Sequence, residues 1–235
     1  MTLAQEERRG TRAIAVLLGL ALLGGAVWVL LPRMLGVAGG PEPELVAALR
    51  TAELARAPIP VSSAAPFEPR TLDFDRFSVT VEGDRAMVVS TLDASGTSGG
   101  VTVSSLGRER VRFVRRGGRW EPDGPLAPAL AGALEALWHR ATLLSGSSLD
   151  ALGSLVGATE RDRSLEDARL EQILRIPAHR WEPRAWFLRS ERGEVVVTED
   201  AVLTSPSRTP EPRTGRLRLV SSDGGGSFVF AGPLL

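Results

Sequence analysis

From Ala13 to Leu31 the chain runs nineteen residues without a charge. At 1.5 Å per residue, a helix of that length reaches across roughly the 30 Å hydrocarbon core of a bilayer. In lipid a helix pairs every backbone N–H and C=O internally, so a run of this kind has few other structures open to it. Trp28 stands near its far end, where an amphipathic ring suits the interface, and Pro32 with Arg33 closes it. The run predicts one transmembrane helix over 13–31, between a leader (1–12) and a Gly/Pro linker (32–43). Arg8, Arg9 and Arg12 precede it and only Arg33 follows closely, which keeps the amino terminus cytoplasmic. Everything after Pro32 is then extracytoplasmic, on a protein held in the bacterial inner membrane. A cleaved signal peptide is the competing reading, with Gly36 and Ala38 as a small-x-small site. Against it, the run exceeds the usual ~7–15-residue apolar region, and Arg33 separates it from that site. Both readings export the remainder.

The ~195 residues that follow suffice for one large or two small domains. Their chemistry is narrow. Twenty-eight basic residues balance 28 acidic ones, so nucleic acid is not an expected partner, because neutralising phosphates requires a basic excess. Cysteine is absent, which removes disulfides, thiol nucleophiles and cysteine-held metals. Lysine is absent too, and with it any P-loop, Ser-x-x-Lys site or Schiff base. Asparagine and tyrosine are also missing, as in a GC-rich bacterial coding sequence. His139 and His179 are the two imidazoles. No enzyme, no cofactor and no metal is expected.

Leu45, Leu49 and Ala52 at helical spacing predict a short helix over 44–56, which Pro58 and Pro60 end. From Leu72 the period becomes two. Phe77, Val79 and Val81 read as the buried face of a strand, returning through Glu82–Arg85 into Ala86–Leu92. Ala94–Gly100 reads as a Ser/Gly loop, Val101–Ser105 as a short strand. Glu109–Arg115 reads as another, with Val111 and Phe113 inward. Leu130, Leu134, Leu137, Ala141 and Leu144 make a helical stripe closed by Gly146, and a shorter piece follows at Ser148–Val156. Ser164 opens a further helix that Pro177 ends. Strands return at Ala185–Ser190 and Glu194–Leu203. After a proline-rich loop at Ser205–Thr214, a last hairpin spans Gly215–Phe230.

Two stretches look alike. Arg110-Val111-Arg112-Phe113-Val114 resembles Arg216-Leu217-Arg218-Leu219-Val220, and each leads through a Gly-rich turn and an aromatic to Gly-Pro-Leu. Glu82–Val89 likewise matches Ser190–Val197 in pattern. The repeat predicts an α+β chain of two tandem modules, 44–126 and 127–235, each with helix followed by curved antiparallel sheet.

That plan, with a Gly-Asp-Arg-Ala turn and the run Arg-Val-Arg-Phe-Val-Arg-Arg-Gly-Gly-Arg-Trp, resembles the NTF2-like (cystatin-like) superfamily. One span followed by exported modules of this type resembles the VirB8-like and TcpC-like components of conjugation and type IV secretion. It is similar also to membrane proteins associated with Mce lipid transporters. The resemblance implies a scaffold or assembly subunit whose partners are other envelope proteins, besides the bilayer engaged by 13–31. A membrane-tethered module binding a small molecule or lipid in an NTF2-like pocket is the alternative.

Arg108, Arg110 and Arg112 share a strand face and are candidate contacts for an anionic partner; the plainer reading of the same residues is a solvated strand face. Trp181 and Trp186 are the candidate interaction anchors if any aromatic is exposed. An acid–base site would need His139 and His179 together with Glu135 or Glu182, which nothing in the spacing demands.

Overall fold

The computed structural model describes residues 42–61, 64–146, 148–151, 170–223 and 225–233. The apolar run with its leader, the linker as far as 41, and residues 152–169, with most of the expected helical piece at Ser148–Val156 and the expected helix start at Ser164, lie outside the described residues. Among the described residues no helix is long and apolar enough to cross a membrane.

The chain folds as helix α1 (Glu42–Ala55), strands β1 (Phe67–Glu82), β2 (Arg85–Ser98), β3 (Val101–Arg116) and β4 (Arg119–Pro122), then helix α2 (Pro128–Ser145). A 3-10 turn at Leu149–Ala151 follows. Then come β5 (Arg180–Glu191), β6 (Glu194–Ser205), β7 (Arg208–Ser221) and β8 (Phe228–Pro233). The architecture is α+β. Each half contributes a four-stranded antiparallel meander, and the halves join where β3 pairs in parallel with β5, Thr102–Gly107 against Ala185–Ser190. A parallel pair needs a crossover, and α2 lies on it. The result is one eight-stranded sheet in the order β1-β2-β3-β5-β6-β7-β8, with β4 on the other stretch of β3.

α1 and the first part of α2 bury their apolar stripes in one core shared by the two halves, while Ala141 and Leu144 at the end of α2 pack in a second cluster with Leu174, Trp181 and Leu203. Leu45 and Leu49 of α1 and Leu130, Leu134 and Leu137 of α2 meet Phe67, Phe74, Val111, Phe113, Trp186 and Val197 of the sheet. Gly99-Gly100 and Gly117-Gly118 close two-residue hairpins with φ positive at both positions, the turn that best matches strand twist.

Several strands differ from the sequence reading. In β1 the fully buried aromatics are Phe67 and Phe74; Phe77 and Val79 are half-buried and Val81 is exposed. A bulge between Asp75 and Ser78, with Arg76 at φ 55°, shifts the alternation by one residue. It lets Phe74 and Phe77 reach the same core although they stand three positions apart, an offset that puts residues of a regular strand on opposite faces. The expected Ser/Gly loop at 94–100 is instead the end of β2, and β3 runs unbroken through Gly107. The expected loop at Ser205–Thr214 is mostly strand. β8 pairs only with 217–221, which leaves the proline-bearing start of β7 at a sheet edge, where a missing N–H costs no ladder bond.

Gly107 is where the two halves touch. A Cβ there would lie 2.3 Å from the Ser190 carbonyl oxygen and 2.6 Å from its nitrogen. Gly107→Ala is therefore expected to push β5 away from β3 and cost ~1–3 kcal/mol or more, read as a lower urea midpoint. An unchanged midpoint would show that the joint yields freely.

Candidate functional site

The face of the sheet beneath the helices is sealed by a polar network whose carboxylate strand periodicity turns inward. In β6, Val195, Val197, Glu199, Ala201 and Leu203 alternate inward, so Glu199 must enter the core with its neighbours. On α2, Arg140 falls within the stripe that buries Leu137, Ala141 and Leu144. The two meet: Arg140 Nη1 donates to Glu199 Oε2 at 2.5 Å, and both side chains are almost fully buried. Trp186 Nε1 donates to Glu199 Oε1 at 3.1 Å, and Trp181 Nε1 reaches the same oxygen at 3.4 Å. The guanidinium lies over the Trp181 and Phe230 rings, at 5.5 and 5.9 Å. Trp138 stands edge-on to Trp186 at 5.1 Å and donates to Ser98 Oγ. Three donors thus converge on the two Glu199 oxygens and fix that side chain in the core.

This corrects the expectation for Trp181 and Trp186. Trp186 is wholly buried and Trp181 nearly so, and neither is an exposed anchor. Each indole finds an internal acceptor, which is what lets a tryptophan N–H leave water.

The histidines are not brought together. His139 is exposed on α2, whereas His179 is buried beneath the end of that helix. Its ring nitrogens face two carbonyl oxygens, Ile176 at 2.7 Å and Leu144 at 2.5 Å. Glu182 is engaged by Arg184 and Thr204 rather than by a histidine. Among the described residues no group of three acidic or histidine side chains is placed to hold a metal.

The same alternation carries a second carboxylate into the core. Glu109 begins the inward series Glu109-Val111-Phe113 of β3. It accepts the amides of Ala129 and Leu130 at 2.7 and 3.0 Å. Ala127 offers α2 no side-chain cap, so a strand 20 residues upstream supplies one. No cation accompanies it among the hydrogen bonds and ion pairs described. Burial outweighs the two amide bonds and pushes its pKa up to about 8. Ser90, its register partner on β2, has a buried hydroxyl without a hydrogen-bond partner among the described residues.

Arg108, Arg110 and Arg112 are exposed on the opposite side of β3, as their alternation with Glu109 and Val111 predicts. Around Arg108 that side is open. A cleft of about 760 Å³ runs across β1, β2, β3 and β5, lined by Asp73, Asp75, Asp93, Leu106, Arg108 and Arg189. Leu106, in its lining, is 48% exposed, and Phe187 on the adjacent strand β5, outside the lining, is 46% exposed. At the free edge of β1, α1 protects the bulge. The Glu53 carboxylate accepts the Phe74 amide, while Arg50 bridges Glu53 and lies over the Phe77 ring.

No protein-family model and no curated protein matches the chain. Among solved structures, a chain described as an "Ntf2 like protein involved in plasmid conjugation" is similar at 8% identity, over 72% of this chain and 78% of that one, with a TM-score of 0.29.

Proposed function

We propose that the chain is a non-catalytic, NTF2-like assembly subunit of a bacterial envelope complex, tethered by the 13–31 span with its folded part outside the cytoplasm. The observation that carries this reading is the contrast between the two sides of the sheet. Beneath the helices, the place where a sheet of this kind could enclose a ligand holds Trp138, Trp186, Arg140 and Glu199 instead. The recognition chemistry lies on the other side: exposed arginines and aspartates around Leu106 and Phe187. A surface that mixes charge with exposed apolar side chains suits a protein partner better than a small molecule, which needs enclosure. The alternative, a tethered lipid- or small-molecule-binding module, needs room that these four side chains occupy.

The test is extraction of the tagged full-length chain from native membranes in mild detergent, with identification of what co-purifies. A defined, stoichiometric set of envelope proteins is the expected result. Recovery without any other envelope protein overturns the assembly reading, and recovery with a stoichiometric lipid supports the alternative.

A further inference from the structure

We propose that the outer edge of β1 at Val79–Val81 is a site for an added strand, laid parallel to β1 and supplied by a different protein. The inference goes beyond the assembly reading and does not require it.

The fold shows once how such an edge is filled. Both halves set their strands alike, with Arg85 opposite Val114 in one and Glu194 opposite Val220 in the other. Counted from those ends, Val79 and Val81 of β1 hold the places of Leu188 and Ser190 in β5. Pro210, Pro212 and Arg213 of β7 likewise hold those of Ser104, Leu106 and Gly107 in β3. In the filled joint, Leu188 lies opposite Ser105 and Ser190 opposite Gly107. Alternate residues of β3 turn their backbone away from β2. Ser190 Oγ donates to the Arg108 carbonyl and the Asp123 amide to that of Arg112, whereas the Arg115 amide donates inward to Asp84. Ser104, Leu106 and Arg108 accordingly offer their N–H groups to β5. The joint also needs Gly107, where a Cβ would lie 2.3 Å from the Ser190 carbonyl oxygen.

β1 keeps the accepting edge. The two-residue loop at Gly83-Asp84 turns the backbone of Glu82 to Arg85, so that of Val79 and Val81 points outward. Upstream the same edge is closed: Phe67 exchanges two bonds with Ile59, Pro69 has no N–H, and Glu53 takes the Phe74 amide. Past the bulge, among the described residues, no hydrogen bond reaches the outward backbone of Val79 or Val81. Ser-Val-Thr-Val favours a strand, and a bare edge of this kind invites pairing.

Copies of this chain are barred from supplying the strand. β8 covers β7 only at 217–221, which leaves 208–216 at the sheet edge. There Pro210 and Pro212 remove two donors of the joint, and Arg213 replaces its glycine. Without that bar, head-to-tail addition would continue without closing. The occupant is an extended segment built as Thr102–Gly107 is, with N–H groups at alternate residues and a glycine opposite Val81.

The chain has no cysteine, so introduced thiols report cleanly. Registered residues on neighbouring strands stand ~5 Å apart, within the span of a disulfide. The probe is the full-length chain with its own donor strand repaired: Pro210→Ser, Pro212→Cys and Arg213→Gly. The acceptor is the full-length chain with Thr80→Cys, which the joint sets opposite residue 212, as Arg189 is set opposite Leu106. Mixed in mild detergent and oxidised, the two are expected to give a disulfide-linked heterodimer. Restoring Pro210 and Arg213, or moving the acceptor thiol to Leu54→Cys, 88% exposed on α1, should lower the yield about tenfold or more. Adding Val81→Pro to the acceptor should do the same, at a urea midpoint close to that of wild type, because the lost N–H serves no bond to β2. A yield no higher than in these controls overturns the proposal. So does dimerisation of Thr80→Cys by itself, which would make a second copy the occupant. Trapping without any co-purifying envelope protein would keep this inference and overturn the assembly reading; the opposite result would keep only the assembly reading.

Discussion

Arg140→Ala is expected to destabilise the fold by ~3–5 kcal/mol, the cost of leaving a buried carboxylate without its cation. Arg140 and Glu199 are both almost fully buried and 2.5 Å apart, so little solvent reaches the gap. The arginine also stacks over Trp181 and Phe230, and its loss opens a cavity between them. Glu199→Leu should be comparably severe for a different reason. It strands the guanidinium together with the N–H groups of Trp181 and Trp186. For the same reason the double variant Arg140→Met/Glu199→Leu should recover only part of the loss. The ion pair disappears without residue, but two buried indole donors remain unsatisfied at ~1–3 kcal/mol each. Urea denaturation of wild type, Arg140→Met, Glu199→Leu and the double variant gives the double-mutant cycle, with Arg140→Ala measured beside them. If Arg140→Ala costs no more than ~1 kcal/mol, the pair behaves as a solvated one.

Glu109→Gln is expected to change how stability depends on pH. In the fold the Glu109 carboxyl is pushed up from 4.5 to about 8, chiefly by burial. Between those values the folded chain keeps a proton that the unfolded chain has released. Stability should therefore fall as pH rises from about 4.5 to about 8 and level off above. The separation of the two values corresponds to a loss on the order of 5 kcal/mol. Glutamine cannot ionise, so the variant lacks this slope. It starts lower, because its amide nitrogen cannot accept one of the two N–H bonds from Ala129 and Leu130, at ~1–3 kcal/mol. Wild type should accordingly be the more stable at pH 4.5 and the variant at pH 9. A difference that stays constant across that range would mean that Glu109 ionises in the fold as it does in water.

Glu109 and Glu199 show how far alternation can be read. Each sits in a period-two series whose other members are valine, leucine, phenylalanine or alanine, and strand geometry sends every second residue to one side. The signal for a buried carboxylate was present in both. Their partners were not, because Ala129, Leu130 and Arg140 arrive from a helix whose position over the sheet no local pattern encodes. The tryptophans teach the reverse. Trp181 and Trp186, near a helix-to-strand connection, look available in sequence, yet Glu199 lies 18 and 13 residues further on to receive their N–H groups.

What the amino-acid sequence determined by itself were the local properties. The helices at 42–55 and 128–145, the hairpin turns, the outward arginines of β3 and the α+β class all follow from period, glycine pairs and proline. Tertiary structure decided three things. It placed the bulge that puts Phe74 and Phe77 in one core, made the Pro-bearing stretch of β7 a tolerated edge, and formed the parallel β3–β5 joint at Gly107. Each depends on which strand lies alongside. That choice is made by the summed burial of distant residues, to which no short window of the chain has access.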